Sequence, residues 1–142
     1  MTINEIQKKV VEEFAIFDDW MDRYNYLIDL GNDLEGLTED LKKKDYLIEG
    51  CQSKVWLRPE LKDGLIYFKA ESDAIITKGI VALLVKVLSG RSPAEIMNAD
   101  LFFIDEIGLK QNLSPTRSNG LLAMVKQMKL YAIAYNAKEG GN

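Results

Sequence analysis

The residue best suited to covalent chemistry is Cys51, the single cysteine in a chain of 142 residues that contains no histidine. Zinc and iron–sulfur sites need several Cys or His ligands, and an internal disulfide needs a second cysteine. A cysteine hydrolase needs a base, normally histidine, to generate and recycle its thiolate. The composition therefore leaves two interpretations: Cys51 is inert, or its thiolate reacts with a group that another molecule delivers.

Glycine and polar residues surround this cysteine, because Gly50 precedes it and Gln52, Ser53 and Lys54 follow it. Such neighbours are typical of a loop, where reactive residues are common. Free cysteine is also among the most buried residue types, so a buried and unreactive thiol is the alternative. The neighbours by themselves leave both interpretations open.

Two cations are candidates for lowering the pKa of the thiol, which is about 8.5 for a free cysteine and falls near positive charge or a helix N-terminus. Lys54 lies three residues after Cys51, and Arg117 lies in the capped turn that begins at Ser114. The alternative for each is an ordinary solvated surface cation. The spacing of these residues in the sequence does not show whether either side chain reaches the sulfur of Cys51.

Length and composition predict one folded domain, residues 1–142, because 47% hydrophobic and 28% charged residues are typical of water-soluble globular chains. The net charge of -4 disfavours a nucleic-acid partner, since phosphate binding relies on Lys and Arg. The longest apolar stretch, 80–88, is far shorter than the roughly 20 residues of a membrane span, and the N-terminus does not resemble a secretory signal. An unpaired cysteine without an export signal indicates a cytoplasmic protein.

The elements that must position Cys51 begin with a pair of helices. A capping box formed by Thr2 and Glu5 starts the first helix. Asp18 or Asp19 is expected to cap the second, and Gly31 is expected to end it in a left-handed conformation.

After Cys51 the pattern becomes extended, and the segments 55–57 and 65–68 predict a hairpin whose turn closes at Asp63-Gly64. A third strand is expected from the region 46–51. Ser72 or Asp73 is expected to cap a buried apolar helix, and two further helices begin at Ser-Pro pairs. The order of elements predicts an α+β fold in which a small antiparallel sheet of about three strands packs against helices on one side.

Five ordered strings resemble those of the SufE family of sulfur acceptors, which includes the CsdE proteins. They are 50–57 (GCQSKVWL), 72–74 (SDA), 78–84 (KGIVALL), 89–96 (SGRSPAEI) and 113–121 (LSPTRSNGL). Each string is weak alone, but the ordered set is specific, and the match runs from about residue 14 to residue 132. Glu35 and Glu71 depart from the family pattern, which commonly has proline and aspartate at these positions.

The resemblance implies a SufE-like fold and an accessory sulfur-transfer protein rather than an enzyme. Cys51 would take a sulfane sulfur from a PLP-dependent cysteine desulfurase of the SufS or CsdA kind. It would carry that sulfur as a persulfide to an iron–sulfur scaffold of the SufBCD kind. The chain itself would need no cofactor or metal, and a monomer and a homodimer both remain open.

The resemblance also bears on the neighbours of the cysteine. Gly50 would allow an unusual backbone angle, or would simply end a strand. Gln52 and Ser53 would hydrogen-bond the loop or the persulfide. Asp73, like the two cations, is a candidate contact to the thiolate or to the partner, and its simpler role is a helix cap.

Two alternatives to sulfur transfer remain. The chain could be a non-covalent adaptor or activator of a partner enzyme, in which Cys51 is structural. A thiol-redox protein is disfavoured, because a second cysteine is missing. A carrier must also protect its persulfide from small thiols, so we expect Cys51 in a loop, partly shielded by apolar neighbours, and moved outward when a partner docks.

Overall fold

A β-hairpin lies between two N-terminal and four C-terminal helices in the computed structural model, which describes residues 1–139. The elements are α1 (Ile3–Ala15), α2 (Trp20–Asp33), β1 (Val55–Lys62), β2 (Leu65–Ser72), α3 (Ile75–Leu88), α4 (Pro93–Asn98), α5 (Phe103–Glu106) and α6 (Pro115–Glu139). Short 3-10 turns cover Glu39–Leu41, Lys44–Tyr46 and Lys110–Asn112. The α+β fold class is confirmed.

The helix starts follow the expected capping chemistry. Thr2 and Glu5 form a complete capping box at α1, and Ser92 does the same with Glu95 at α4. At α2 the cap is Asp19, whose side chain accepts from the backbone of the first turn. Each cap satisfies N–H groups that the helix cannot pair internally.

The hairpin is longer than the sequence predicts. Its strands pair over eight residues each, and Asp63 and Gly64 form the two-residue turn with positive φ angles of 53° and 79°. Pro59 lies inside β1 opposite Phe68, which is tolerated because both strands of this sheet are edge strands. Alternate residues are buried, so one face of the sheet packs against α3.

The expected third strand is wrong in extent, since the sheet of the described chain has two strands. The region 46–51 contributes a single antiparallel bridge, between Leu47 and Trp56. A 3-10 turn ends at Tyr46, and Gly50 has a φ of +92°, so too few residues between them are extended to form a ladder.

Helix α3 forms the centre of the core and is buried on nearly every side, as its apolar sequence predicts. It crosses α2 at two glycines. A Cβ added to Gly79 would lie 2.3 Å from the carbonyl oxygen of Leu27, and one added to Gly31 would lie 2.9 Å from the Gly79 nitrogen. The prediction that Gly31 ends α2 is therefore wrong, because this buried glycine lies within the helix and lets two backbones touch.

Among residues 1–139, no helix is both long enough and apolar enough to cross a bilayer.

Candidate functional site

Cys51 lies in the loop before β1, half-buried against the first turns of α6. Its Sγ donates a hydrogen bond to the carbonyl oxygen of Gly120 at 3.6 Å. A Cβ added to Gly120 would lie 3.7 Å from the same sulfur, so α6 approaches the cysteine closely at this glycine. The thiol is therefore held by contacts with a helix that begins more than 60 residues later in the chain.

Burial raises the pKa of the Cys51 thiol above its ordinary value. The hydrogen bond acts in the same direction, because a carbonyl oxygen accepts only from the protonated form. The thiol of the isolated protein is consequently protonated at neutral pH. Neither of the two candidate cations offsets this burial, so the isolated chain does not present an activated thiolate.

A pocket of about 360 Å³ opens beside the cysteine. Its walls come from the cysteine loop, the first turns of α3 and the start of α6. The lining residues are mostly hydroxyl-bearing or apolar: Cys51, Gln52, Ser53, Thr77, Ile80, Ser114, Thr116, Arg117, Gly120 and Met124. This volume is at the lower end of the range for small-molecule sites and far exceeds that of one added sulfur atom.

The two candidate cations take different positions. Arg117 lines the pocket, and its backbone N–H is bonded to the Ser114 hydroxyl at 3.3 Å, as the predicted cap requires. The side chain of Lys54 is exposed and does not line the pocket. The structure therefore places one of the two residues, Arg117, at the pocket.

Ser72 and Asp73 hold the end of the cysteine loop, and the prediction that one of them caps α3 is wrong. The N-cap of α3 is Ala74, without a side-chain cap. Asp73 Oδ1 accepts from the Lys54 N–H at 3.0 Å, and Ser72 Oγ donates to the Lys54 carbonyl oxygen at 2.9 Å. The N–H and carbonyl groups of Lys54 are thus both bonded to the end of β2, and Ser72 Oγ also accepts from the N–H of Ala74 at 3.3 Å.

Gly50 needs to be glycine for two reasons. Its φ of +92° is unfavourable for other residues, and a Cβ there would lie 3.3 Å from the Ala123 side chain of α6. This geometry matches the expectation of an unusual backbone angle. Gln52 and Ser53, the other loop candidates, both line the pocket.

Sequence reasoning missed the pocket residues contributed by α3 and α6, chiefly Thr77, Thr116 and Met124. One signal was available for Thr77, which is the single hydroxyl-bearing residue in the apolar sequence of α3. A polar side chain inside an otherwise buried helix needs a reason, because burial of an unpaired hydroxyl is unfavourable. No comparable signal marked Thr116 or Met124.

The two departures from the family pattern lie away from the cysteine pocket. Glu35 forms an ion pair with Lys69 at 3.3 Å, and Glu71 forms one with Lys78 at 3.0 Å. Neither carboxylate lines the pocket. The departures therefore do not change the surroundings of Cys51.

A larger groove, of about 940 Å³, lies between the hairpin and helices α2 and α3. Aliphatic side chains such as Leu61 and Val85 and charged ones such as Glu60 and Lys69 line it. It contains no cysteine, whereas the smaller pocket contains the one thiol of the chain. We therefore take the smaller pocket as the candidate site.

Comparisons with known proteins give a family match and several similar chains. A model of the SufE family, described as an Fe-S metabolism associated domain, matches residues 8–132. The chain is 37% identical over 126 residues to a SufE-like protein of Rhizobium meliloti, covering 85% of this chain and 90% of that protein. It is 38% identical over 127 residues to a SufE-like protein of Synechocystis, covering 89% of this chain and 80% of that one.

A plant relative and a solved structure extend the comparison. SufE-like protein 1, chloroplastic/mitochondrial, of Arabidopsis thaliana is 37% identical over 140 residues, which are 96% of this chain and 38% of that protein. The solution structure of a hypothetical protein from Thermus thermophilus superposes with a TM-score of 0.75 at 18% identity, covering 91% of this chain and 94% of that one. At that identity the structural likeness supports the fold alone.

Proposed function

Because this chain belongs to the SufE family, whose domain is associated with Fe-S metabolism, we propose that Cys51 is a sulfur acceptor. It takes a sulfane sulfur from a PLP-dependent cysteine desulfurase of the SufS or CsdA kind and carries it as a persulfide. An iron–sulfur scaffold of the SufBCD kind then receives the sulfur. In this role the chain is an accessory protein that stimulates a partner enzyme.

The transfer balances without any further reactant. The sulfur of Cys51 attacks the outer sulfur of the partner's persulfide, a new S–S bond forms, and the S–S bond within the partner breaks. The partner's cysteine leaves as a thiolate and takes up the proton that Cys51 loses. The transferred sulfur keeps its oxidation state, and no histidine or oxyanion hole is required.

One observation carries the proposal: the single thiol of the chain is half-buried at a pocket with room for an added sulfur. An S–S bond extends about 2 Å beyond Sγ, which fits within this space. Burial of the loaded sulfur would limit its reduction by small thiols. This arrangement suits a carrier that must keep its cargo until a partner docks.

Transfer also requires that Cys51 leave the pocket. The hydrogen bond to Gly120 is one weak sulfur contact, whereas the backbone of Lys54 is held by three bonds to Ser72 and Asp73. We propose that the loop swings outward between Gly50 and Lys54 when the desulfurase binds. Arg117 at the pocket, with the exposed Lys54 and the Asp73 that bonds its backbone, would then contact the partner.

A reducing compartment such as the cytoplasm fits this function, because the thiol must remain unpaired between transfers. The plant relative is itself named as chloroplastic/mitochondrial. We also propose that residues 1–142 form a single SufE-like domain that carries out this function.

Intact-mass spectrometry tests the proposal. Incubation with a cysteine desulfurase and L-cysteine should add the mass of one or more sulfur atoms to the chain, and reductant should remove it. Cys51→Ser, which replaces the sulfur by an oxygen of similar shape, should gain no mass. The absence of any adduct on the wild-type chain would overturn the proposal.

A second candidate function is favoured by the raised pKa of Cys51, which is also what an inert structural thiol would show. In that case the chain would activate its partner by contact alone. Desulfurase turnover separates the two functions. A Cys51→Ser variant that stimulates the partner as well as the wild type would support the adaptor, and loss of stimulation in a folded variant would exclude it.

A further inference from the structure

Thr77 has an unusual environment for a hydroxyl group. It lies in the first turn of the apolar helix α3, its side chain is 7% exposed, and it lines the cysteine pocket. Its hydroxyl forms no hydrogen bond with residues 1–139. A hydroxyl without a partner in the chain bonds to water or to a ligand, and here the space beside it is the cysteine pocket.

The Thr77 hydroxyl is open to the pocket rather than sealed inside the core. Within residues 1–139, the side-chain nitrogen or oxygen that is fully buried and has no hydrogen-bond partner is Arg91 Nε, not Thr77 Oγ1. Thr77 Oγ1 is therefore accessible, and the pocket is the space that this residue lines. The hydroxyl can donate to an acceptor that occupies the pocket.

The charges around the pocket favour an anion. Arg117 is the one charged side chain among the residues that line it, and no carboxylate does so within residues 1–139. Helix α6 begins at Pro115, so the N–H of Thr116 lies in its first turn, where N–H groups have no acceptor within the helix. The N-terminal end of a long helix favours negative charge through such free N–H groups.

We propose that Thr77 donates a hydrogen bond to the outer sulfur of the Cys51 persulfide, so that the pocket holds this sulfur as an anion. The inference rests on the proposed function, because it concerns the loaded state of the same cysteine. Sγ itself contacts the Gly120 carbonyl oxygen, whereas an outer sulfur lies about 2 Å further along. An outer sulfur would therefore occupy the pocket that Thr77 also lines.

The two sulfurs would then respond to the pocket in opposite ways. Burial and the Gly120 carbonyl keep the thiol of the empty carrier protonated and unreactive. Hydrogen-bond donors around the outer sulfur favour the ionised persulfide, which is the form stored. A single pocket would thus distinguish the empty carrier from the loaded one.

The experiment compares titrations of the wild-type chain before and after loading by a desulfurase. Near-ultraviolet absorbance follows the ionisation of the thiol and of the persulfide, with free cysteine and cysteine persulfide as references. We expect the protein thiol to titrate at higher pH than free cysteine and the protein persulfide at lower pH than cysteine persulfide. A protein persulfide that titrates at or above the reference pH would overturn the inference.

Two variants test whether the Thr77 hydroxyl causes the lower titration pH of the persulfide. Thr77→Val removes it while nearly keeping the volume of the side chain, and its persulfide should titrate roughly one pH unit higher than the wild type. Thr77→Ser keeps the hydroxyl and should titrate like the wild type. Equal titration of the valine and wild-type persulfides would exclude Thr77 as the donor.

The outcomes separate the two proposals. A wild-type chain that gains no sulfur contradicts the proposed function and this inference together. A wild-type chain that loads normally but shows no lowered persulfide titration contradicts this inference alone. The wild-type comparison needs no substitution, so a valine variant that fails to fold would not prevent a decision.

Discussion

At the scale of single residues, the surroundings of Cys51 favour the protonated thiol in the isolated chain. The sulfur is half-buried, its hydrogen-bond partner is the Gly120 carbonyl oxygen, and burial raises the pKa of the thiol. Reactive cysteines usually show the opposite shift, caused by nearby cations or helix N-termini. A raised pKa is compatible with the proposed role as a sulfur acceptor, because the partner that delivers the persulfide can also change the surroundings of the thiol.

The raised pKa predicts the pH dependence of alkylation. Only the thiolate reacts with iodoacetamide, so the rate at Cys51 should rise with pH through a midpoint above that of free cysteine. Below that midpoint the native chain should react more slowly than the same chain unfolded in urea. The measurement is the alkylation rate against pH, and a native midpoint at or below the unfolded one would contradict the assigned burial.

The same shift has a consequence for stability. The pKa of the Cys51 thiol is higher in the folded chain than in the unfolded chain. The contribution of this thiol to the free energy of unfolding is therefore fully present at pH values below the unfolded pKa. It is lost as the pH rises from there through the folded pKa.

At the scale of elements, the cysteine loop is held more firmly at its end than at its centre. The end of β2 binds both polar groups of the Lys54 peptide through Asp73 and Ser72. The positive φ of Gly50 marks the other boundary of the loop. Between these points, one side-chain hydrogen bond of the described chain joins the loop to α6, from Cys51 Sγ to the Gly120 carbonyl oxygen. This distribution favours movement of the cysteine while the strand stays in place.

The Asp73 contact predicts how the loop can be loosened. Asp73→Ala removes the acceptor of the Lys54 N–H, which should weaken the loop end by about 1–3 kcal/mol and raise the alkylation rate of Cys51 several-fold at fixed pH. Amide exchange at Lys54 should also become faster. Asp73→Asn is the matched control, because its side-chain oxygen can still accept the bond. Equal rates in the alanine variant and the wild type would show that this contact does not restrain the loop.

At the scale of the whole molecule, the pocket exists because helices far apart in sequence pack around one core. Helix α3 crosses α2 at Gly31 and Gly79 and also contacts β2 and α6. Its first turn and the start of α6 thereby meet the cysteine loop. The native fold, rather than the local sequence around Cys51, is what would protect a bound sulfur.

Protection by the fold can be measured on the loaded chain. Glutathione should reduce the persulfide of the native chain roughly tenfold more slowly than that of the same chain in urea, which corresponds to a local opening free energy of about 1.4 kcal/mol. The released sulfide gives the rate, and a free cysteine persulfide in the same urea concentration corrects for solvent. Similar corrected rates for the native and unfolded chains would argue against a sheltering pocket.

Much of the local structure could be predicted because capping and turn signals act over a few residues. The capping boxes at Thr2 and Ser92 and the Asp63-Gly64 turn follow directly from residue types and spacing. Predictions failed where distant contacts decide the conformation. Gly31 lies within a helix because α3 passes beside it, and Ser72 and Asp73 bond the Lys54 peptide instead of capping α3.

The sequence by itself determined which chemistry is available, because one cysteine and no histidine exclude Cys/His metal sites, internal disulfides and cysteine–histidine catalysis. Its ordered strings also identified the SufE family, which the family match confirms. Only the tertiary structure decided the environment of Cys51: the Gly120 contact, the pocket and the positions of Thr77 and Arg117. The physical reason is that burial and charge at the sulfur depend on side chains from α3 and α6, whose approach is set by packing of the whole core.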